Sequence, residues 1–184
     1  FIYNKTNLKN NSYKIIIFKK FLFNFIFFFK YYLNINLFFF LNSYVSSIID
    51  KEKIDIWHFN FLNFKSLILI HVLKNFNQKI IVTFHGVDIQ IERSINYGYR
   101  LNKKYDILLK NTLGKIDKFT YISETIKKDL MELGIDKNKL VYCPNTVITE
   151  KFQKSVEKEN DANKILNFIT VARFSEKKKG LDLI

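Results

Sequence analysis

Short apolar runs alternate with longer amphipathic stretches along most of this chain. Four runs have the length and the β-branched or aromatic content of strands: 54–59, 79–84, 118–122 and 139–143. The stretches after the first three predict helices over 62–75, 97–113 and 125–133. Because the runs are continuously apolar, they predict parallel strands covered on both faces. The pattern therefore indicates a Rossmann-like α/β domain.

The segment before the first strand is intensely apolar over 15–41, but three lysines interrupt it. The stretch 21–29 between the lysines is too short to cross a bilayer as a helix, and the asparagines after Lys30 are poor membrane-span residues. The spacing predicts two amphipathic helices, over 17–33 and 37–50. Two interpretations stay open for them: packing against the sheet, or docking on an anionic membrane with the lysines toward the headgroups.

The composition changes after the fourth strand, which suggests a domain boundary. Residues 149–163 are charged and lack an apolar period, as expected for a linker. The run 165–172 would then begin a second α/β domain. We therefore expect an N-terminal domain over 1–148, a linker over 149–163 and the start of a second domain over 164–184. A helix begun after Gly180 would need more residues than follow, so we expect this chain to be a fragment.

The net charge of +13 comes from 30 basic residues, of which only three are arginine. The lysines are scattered and form no continuous stripe, so we expect a solvated surface that attracts anionic lipid or substrate, and no nucleic-acid binding. The single cysteine, Cys143, excludes an internal disulfide framework and points to a reducing, cytoplasmic compartment. It lies in an apolar run, where we expect it to be buried.

Four of the predicted strands carry a polar side chain at their carboxyl ends: His58, His85, Ser123 and Arg173. The carboxyl ends of parallel strands lie along one edge of a sheet, where open α/β sheets bind their ligands. Two such edges facing each other across a linker would form a cleft. We therefore expect these residues to converge on a ligand, although Ser123 also has the position of a helix N-cap.

The loop after the last strand offers cations and a glycine to a phosphate group. The Arg173 guanidinium matches two phosphate oxygens, Lys179 adds charge, and Gly180 lets the backbone approach as a helix begins. Lys177 and Lys178 are expected to face solvent. An exposed basic turn is the alternative interpretation of this loop.

His85, Gly86 and Asp88 form an HG-x-D sequence directly after the second strand. Gly86 permits a tight turn, and His85 could donate to a sugar hydroxyl or pair with a phosphate. Asn145 follows Pro144 in ordinary turn chemistry, or in the crossover below a cleft. The three histidines lack metal-ligand spacing, so no metal site is expected, and His71 is interpreted as structural.

Five short motifs, taken in order, resemble the retaining GT-B glycosyltransferases of family 4. The family pattern runs DIIHxHF, VxTxHGxD, (V/I)SE, PNGV-D-xxxF and GR-x(4–5)-KG. The corresponding residues here are Asp55–Phe59, Val82–Asp88, Ile122–Glu124, Pro144–Val147 with Phe152, and Ala172–Gly180. Thr146 and Ala172 replace two of the family's glycines. The resemblance covers residues 54–184.

This resemblance implies transfer of a sugar from a nucleotide-diphosphate sugar to a glycan or lipid-linked acceptor, in cell-surface polysaccharide or lipopolysaccharide synthesis. Arg173 and Lys179 would bind the donor diphosphate without a metal or other cofactor. His85 would contact the transferred sugar, with Gly86, Asp88, Ser123, Asn145 and His58 as further candidates in the cleft. The enzyme would be cytoplasmic, with peripheral contact at the inner face of the membrane.

Two parts of the family pattern are not seen: the glycine-rich first loop before Ile15, and the Glu-x7-Glu segment, expected beyond Ile184. We therefore expect residues 1–184 alone to be inactive. Two alternatives remain open. One is a sugar-nucleotide epimerase of the same architecture, and the other is a non-enzymatic basic module that binds membrane or nucleic acid.

Overall fold

A computed structural model describes residues 38–152 together with residues 24, 25, 28, 29, 32, 169 and 171. The phosphate loop with Arg173, Lys179 and Gly180 lies outside the described residues. So do most of the predicted linker and of the strand at 165–172.

Four parallel strands form a single sheet in the order β1-β2-β3-β4. Their bounds are Ile56–Phe59, Lys79–Phe84, Lys118–Tyr121 and Leu140–Tyr142. Within residues 38–152, the helices α1 to α4 span Phe38–Glu52, Phe64–Asn75, Lys103–Leu113 and Glu124–Glu132. This arrangement confirms the predicted parallel Rossmann-like α/β fold, and most element bounds differ from the prediction by one or two residues.

Side-chain caps define where two of the helices begin. The Asn63 side chain accepts from the Ser66 amide, and the Ser66 hydroxyl faces the Asn63 amide in return, so a reciprocal capping box starts α2. The Ser123 hydroxyl accepts from the Ile126 amide at the start of α4, which confirms the predicted cap. Gly134, at φ +83°, follows the end of α4 as predicted.

The helix predicted over 97–113 begins only at Lys103, so that prediction was wrong at its start. Tyr97 pairs instead with Glu92 through two backbone hydrogen bonds of 2.9 Å. Gly98 follows at φ +109°, a conformation incompatible with a helix. The Asn102 side chain then accepts from the amides of residues 104 and 105 and caps α3.

One face of the sheet carries the apolar core. Phe59, Ile80, Val82, Phe84 and Phe119 are buried there. Buried residues of all four helices belong to the same core: Leu41 and Val45 from α1, Leu67 to Leu73 from α2, Tyr105 and Leu109 from α3, and Ile126 and Leu130 from α4. This continuous core fixes the sheet edge on which the polar residues stand.

The opposite face of the sheet is more polar than the sequence pattern predicts. It carries His58, Thr83 and Thr120, and both Ile56 and Val141 are exposed on it. The sequence predicted that both faces of the sheet are covered. Within the described residues, only the apolar face is fully covered. The reason is visible in β2 and β3, where four of the five positions on this side are Lys or Thr and only Ile81 is apolar.

Two predictions near the ends of the described region have different outcomes. Helix α1 confirms the second predicted amphipathic helix, and residues 24, 25, 28, 29 and 32 are helical inside the first. None of the helices in the described part of the chain combines the length and apolar character that a membrane crossing needs. The Cys143 thiol is exposed, contrary to expectation, because it leaves the edge strand β4 toward solvent.

Candidate active site

The Asp88 carboxylate organises two loops at the carboxyl edge of the sheet. One oxygen accepts from the amides of His85, at 3.1 Å, and Gly86, at 3.0 Å. The other accepts from the Leu62 amide at 3.3 Å, in the loop between β1 and α2. Asp88 is fully buried, and burial raises its pKa against the lowering effect of these hydrogen bonds. The carboxylate therefore clamps the His85 turn to the neighbouring loop from below.

A buried tyrosine supports the same clamp from helix α3. The Tyr105 hydroxyl faces the carbonyl oxygens of Asp88, at 3.0 Å, and Leu62, at 3.2 Å. Burial raises the pKa of Tyr105, so the hydroxyl keeps its proton and donates to these carbonyls. Sequence reasoning missed Tyr105, since its position in an amphipathic helix is also that of an ordinary core aromatic.

The His85 ring lies above this clamp and contacts a side chain from the neighbouring strand end. Its Nε2 is 2.8 Å from the Asn60 Oδ1. With the carbonyl oxygen as acceptor, Nε2 carries the proton and Nδ1 remains the acceptor of the ring. His85 is half-buried, whereas Asn60 is exposed. The exposed Asn60 side chain therefore holds the His85 ring at the solvent-facing side of the site.

A chain of hydroxyl groups holds His58 on the polar face. The His58 Nε2 is 2.7 Å from the Thr83 Oγ1, which contacts the Thr120 Oγ1. Thr120 can donate onward to the Val82 carbonyl at 3.4 Å. In that arrangement the Thr83 hydroxyl donates to Thr120, and the His58 Nε2 donates to Thr83. Burial, and then the charge of the neighbouring His85, lower the pKa of His58. A neutral His58 beside His85 follows.

The remaining candidates occupy different positions around this edge. Gly86 is buried at φ +121°, and a Cβ there would lie 2.9 Å from the Gln90 Oε1 and 3.0 Å from the Tyr97 hydroxyl. Ser123 is exposed at the end of β3, where its hydroxyl caps α4. Asn145 is exposed after β4. The described residues thus bring His85, Gly86, Asp88 and His58 together.

The loop after β2 is tied down at several further points. The Arg100 guanidinium donates to the Ile89 carbonyl at 2.9 Å and pairs with Asp106 at 2.7 Å. The Gln90 amide donates to Asp129 in α4 at 3.1 Å. A loop fixed in this way presents the His85 turn on a rigid support.

An open groove of about 730 Å³ lies at this same edge, between the start of α2 and the loop before α3. Its lining residues are Asn63, Phe64, Lys65, Asn96, Gly98, Tyr99, Leu101 and Asn102. Within the described part of the chain, no three His, Cys, Asp or Glu side chains are grouped as a metal site would require.

Comparison with known families agrees with this arrangement. The model of Glycosyltransferase Family 4 matches residues 18–151, which is well over half of the chain. The chain belongs to glycosyltransferase family 4. No match to it is found among curated proteins or among solved structures. The predicted family is thereby confirmed, together with a glycosyltransferase-type function that implies a sugar donor and an acceptor.

The matched region contains the whole clamp around Asp88, His85 and His58, and also Ser123 and Asn145. Arg173, Lys179 and Gly180 lie after it. One further residue of the site could have been found from the sequence. The pattern DIIHxHF, written onto the chain from Asp55, places Asn60 at its second His, and Asn60 is the partner of His85.

Proposed function

We propose that this protein transfers a sugar from a nucleotide-diphosphate sugar to a glycan or lipid-linked acceptor with retention of stereochemistry. The observation that carries the proposal is the His85 turn, clamped by Asp88 at the carboxyl edge of the sheet and capped by Asn60. In the reaction, the bond from the anomeric carbon to the diphosphate breaks. A new bond to the acceptor oxygen forms, and the acceptor proton leaves with the diphosphate or to solvent.

His85 has the chemistry to orient the transferred sugar. Because its Nε2 proton is directed to Asn60, its Nδ1 is left to accept a hydrogen bond from a sugar hydroxyl. Such a contact holds the anomeric carbon near its acceptor and needs no change in the charge of the ring. The rigid turn below supports this role, since positioning of the reactants is a large part of catalysis.

The leaving diphosphate would be bound outside the described residues, by Arg173, Lys179 and the backbone at Gly180. Cations aimed at the diphosphate stabilise the negative charge that develops as the sugar leaves, so we propose that no metal or other cofactor is needed. These residues would begin the second domain of a GT-B enzyme, after a linker over 149–163. The region 1–148 would form the acceptor side.

The test is turnover of the full-length protein with a panel of nucleotide-diphosphate sugars, measured as release of nucleoside diphosphate. We expect His85→Ala and Arg173→Ala each to reduce turnover by about a hundredfold, a loss typical of groups that stabilise or orient a transition state. Lys128→Ala, on the exposed side of α4, is the matched control. Full activity of both site variants would remove this assignment.

The product separates the proposal from its enzymatic rival. A sugar-nucleotide epimerase would give an epimer or free sugar without any acceptor, whereas a transferase gives a glycosylated acceptor. A basic binding module would give neither product, and its binding would weaken steeply with salt.

Peripheral membrane contact is the proposed setting for a lipid-linked acceptor, in cell-surface polysaccharide or lipopolysaccharide synthesis at the cytoplasmic side. Four aromatic side chains before and within α1 are 43–65% exposed: Phe25, Phe28, Tyr32 and Phe40. Exposed aromatics in a lysine-containing segment favour the surface of an anionic bilayer. We expect cosedimentation with phosphatidylglycerol vesicles, weakened in Phe25→Ser/Phe28→Ser; equal binding of the variant would contradict the proposal.

A further inference from the structure

The groove between α2 and the loop before α3 has an assigned place in the fold but no assigned ligand. It lies at the carboxyl edge of the sheet, because Asn63 to Lys65 follow β1 and Asn96 to Asn102 follow β2. Its volume of about 730 Å³ is in the range of small-molecule sites.

The groove adjoins the candidate active site through neighbouring backbone, and neither His85 nor Asn60 is among its described lining residues. The Tyr99 amide donates to the Val87 carbonyl at 2.8 Å, so the groove wall is joined directly to the His85–Asp88 turn. On its other side, Asn63 lies three residues after Asn60, the partner of His85. A ligand in the groove would therefore border the site at which we propose sugar transfer.

The lining has the side chains that bind sugars. Tyr99 is 41% exposed, and its ring is held by edge contacts with Phe61, at 5.7 Å, and Tyr105, at 5.5 Å. An aromatic ring held in this way can pack against the apolar face of a pyranose. Phe64 adds a second aromatic wall, and Asn96 adds an amide for hydroxyl groups.

The charge of the lining favours an anion. Among the described residues that line the groove, Lys65 is the one charged residue and none is a carboxylate. Its ammonium donates to the Asn24 Oδ1, which uses one of its three hydrogens and neutralises no charge. Two donors and a full positive charge remain for a phosphate oxygen.

The contact between Lys65 and Asn24 also joins the groove to the helical stretch that carries the exposed rings of Phe25, Phe28 and Tyr32. Phe25 follows Asn24 directly, and the rings of Phe28 and Tyr32 lie 5.1 Å apart within the same helical stretch. A phosphate at Lys65 would thus lie beside the surface proposed to contact lipid.

We propose that this groove binds the phosphate-bearing sugar of the acceptor, with Tyr99 against the sugar ring and Lys65 on the phosphate. This inference rests on the proposed glycosyltransferase function and names the chemistry of its acceptor. The acceptor hydroxyl would then point toward the His85 turn, while the phosphate lies on the side of Asn24. The phosphate can belong to a free sugar phosphate or to a lipid headgroup.

The test is chemical acetylation of lysines in the full-length protein, read residue by residue by mass spectrometry. We expect α-D-glucose 1-phosphate to slow modification of Lys65 at least about fivefold, as for a contact worth roughly 1 kcal/mol or more. Methyl α-D-glucoside, which lacks the phosphate, should protect less, and Lys128 on α4 should be unaffected. Vesicles containing phosphatidylinositol present a phosphate and a polyhydroxylated ring on a lipid. Phosphatidylcholine vesicles, which lack that ring, are their control.

Variants separate this site from the donor site. Protection of Lys65 should persist in Arg173→Ala and disappear in Tyr99→Ala. Calorimetric binding of glucose 1-phosphate in the Arg173→Ala background should weaken about tenfold in Lys65→Met, and change less than about twofold in Asn24→Ala, which keeps the charge.

Protection by either phosphate probe supports the proposal and shows which source the groove accepts. Protection by neither probe, or equal protection by the neutral glucoside, overturns it. Failure of the proposed function has a different signature, because sugar transfer is measured separately, as glycosylated acceptor together with the nucleoside diphosphate released. Intact sugar transfer with an unprotected Lys65 would discard the groove alone.

Discussion

The Asp88 carboxylate accepts hydrogen bonds from three backbone amides, two in the His85 turn and one at Leu62. A carboxylate suits this position because both of its oxygens are acceptors. The sequence motif HG-x-D correctly identified Asp88 as a residue of the site. It suggested, however, that the Asp88 side chain contacts the ligand directly. Its complete burial shows that it acts on the ligand site through the backbone of its neighbours.

Asp88→Asn tests this arrangement at the residue scale. The asparagine carbonyl can replace one acceptor, but its NH₂ group would face an amide donor, so we expect a loss of about 1–3 kcal/mol in unfolding free energy. Urea denaturation measures the change. Asp55→Asn, at an exposed position just before β1, should stay within about 0.5 kcal/mol. Equal stability of both variants would show that the clamp contributes nothing.

Asn60 positions the His85 ring and does not itself contact the sugar in our proposal. Its test therefore compares a disruptive variant with a conservative one. Asn60→Ala removes the acceptor of the Nε2 proton and should lower kcat about fivefold, the value of one hydrogen bond. Asn60→Asp keeps an oxygen in place and should retain most of kcat. Steady-state kinetics with separate kcat and KM values decide the matter. Identical loss in both variants would indicate that Asn60 merely supports the loop.

At the scale of elements, the apolar pattern was sufficient to predict the strands and the helices that pack on them. Strand β2 was predicted at its exact bounds, since continuous apolar residues there match a strand buried between two neighbours. The start of α3 was not predicted, because amphipathic spacing continues back through Tyr97 although the chain turns at Gly98. Gly98 was the sequence feature that argued against a helix there, but the prediction followed the amphipathic spacing instead.

Gly98 and Gly114 form a matched pair for testing this loop. At Gly98 a Cβ would lie 1.9 Å from the Gln90 carbonyl oxygen and φ is +109°, so Gly98→Ala should lose more than about 2 kcal/mol and lower turnover. Gly114 has φ −62° and open space around a Cβ, so Gly114→Ala should be neutral or stabilise by about 0.5–1 kcal/mol. Thermal unfolding measures both, and a harmless Gly98→Ala would contradict the described loop.

At the scale of the whole molecule, the parallel direction of the strands places their carboxyl ends on one edge of the sheet. Polar residues that are far apart in the sequence therefore meet in one site. His85 and His58 could be grouped from the sequence because each lies at the carboxyl end of an apolar run. Tyr105 and Lys65 could not, since helical residues reach the site only through the packing of α2 and α3 on the sheet. Family motifs mark the strand ends and carry little information on such helical contributions.

Two histidines held neutral by the fold should make the stability of the whole domain depend on pH. Desolvation lowers the pKa of His58 and of His71, with a second lowering from His85 on the former and from Lys115 on the latter. His58 is an exposed residue whereas His71 is half-buried, so we expect the larger share of the effect from His71.

The His71 Nε2 is 2.9 Å from the Thr112 Oγ1, and it is the donor because the Thr112 hydroxyl donates to the Leu108 carbonyl at 2.6 Å. The His58 Nε2 has the same role toward Thr83. The unfolded chain, with ordinary histidines near pKa 6.5, takes up protons at a higher pH than the folded chain.

The stabilisation from these two neutral rings is therefore complete above about pH 6.5 and is lost as the pH falls through their folded-state values. We expect the unfolding free energy from urea titrations to decrease steadily from about pH 7 to about pH 5.5, before most carboxylates titrate. In His58→Gln/His71→Gln the side-chain amide can still donate to threonine but cannot be protonated, so its stability should be flatter over this range. A slope equal to that of the unaltered protein would assign the pH dependence to other groups, because the two rings would then have the same proton affinity in both states.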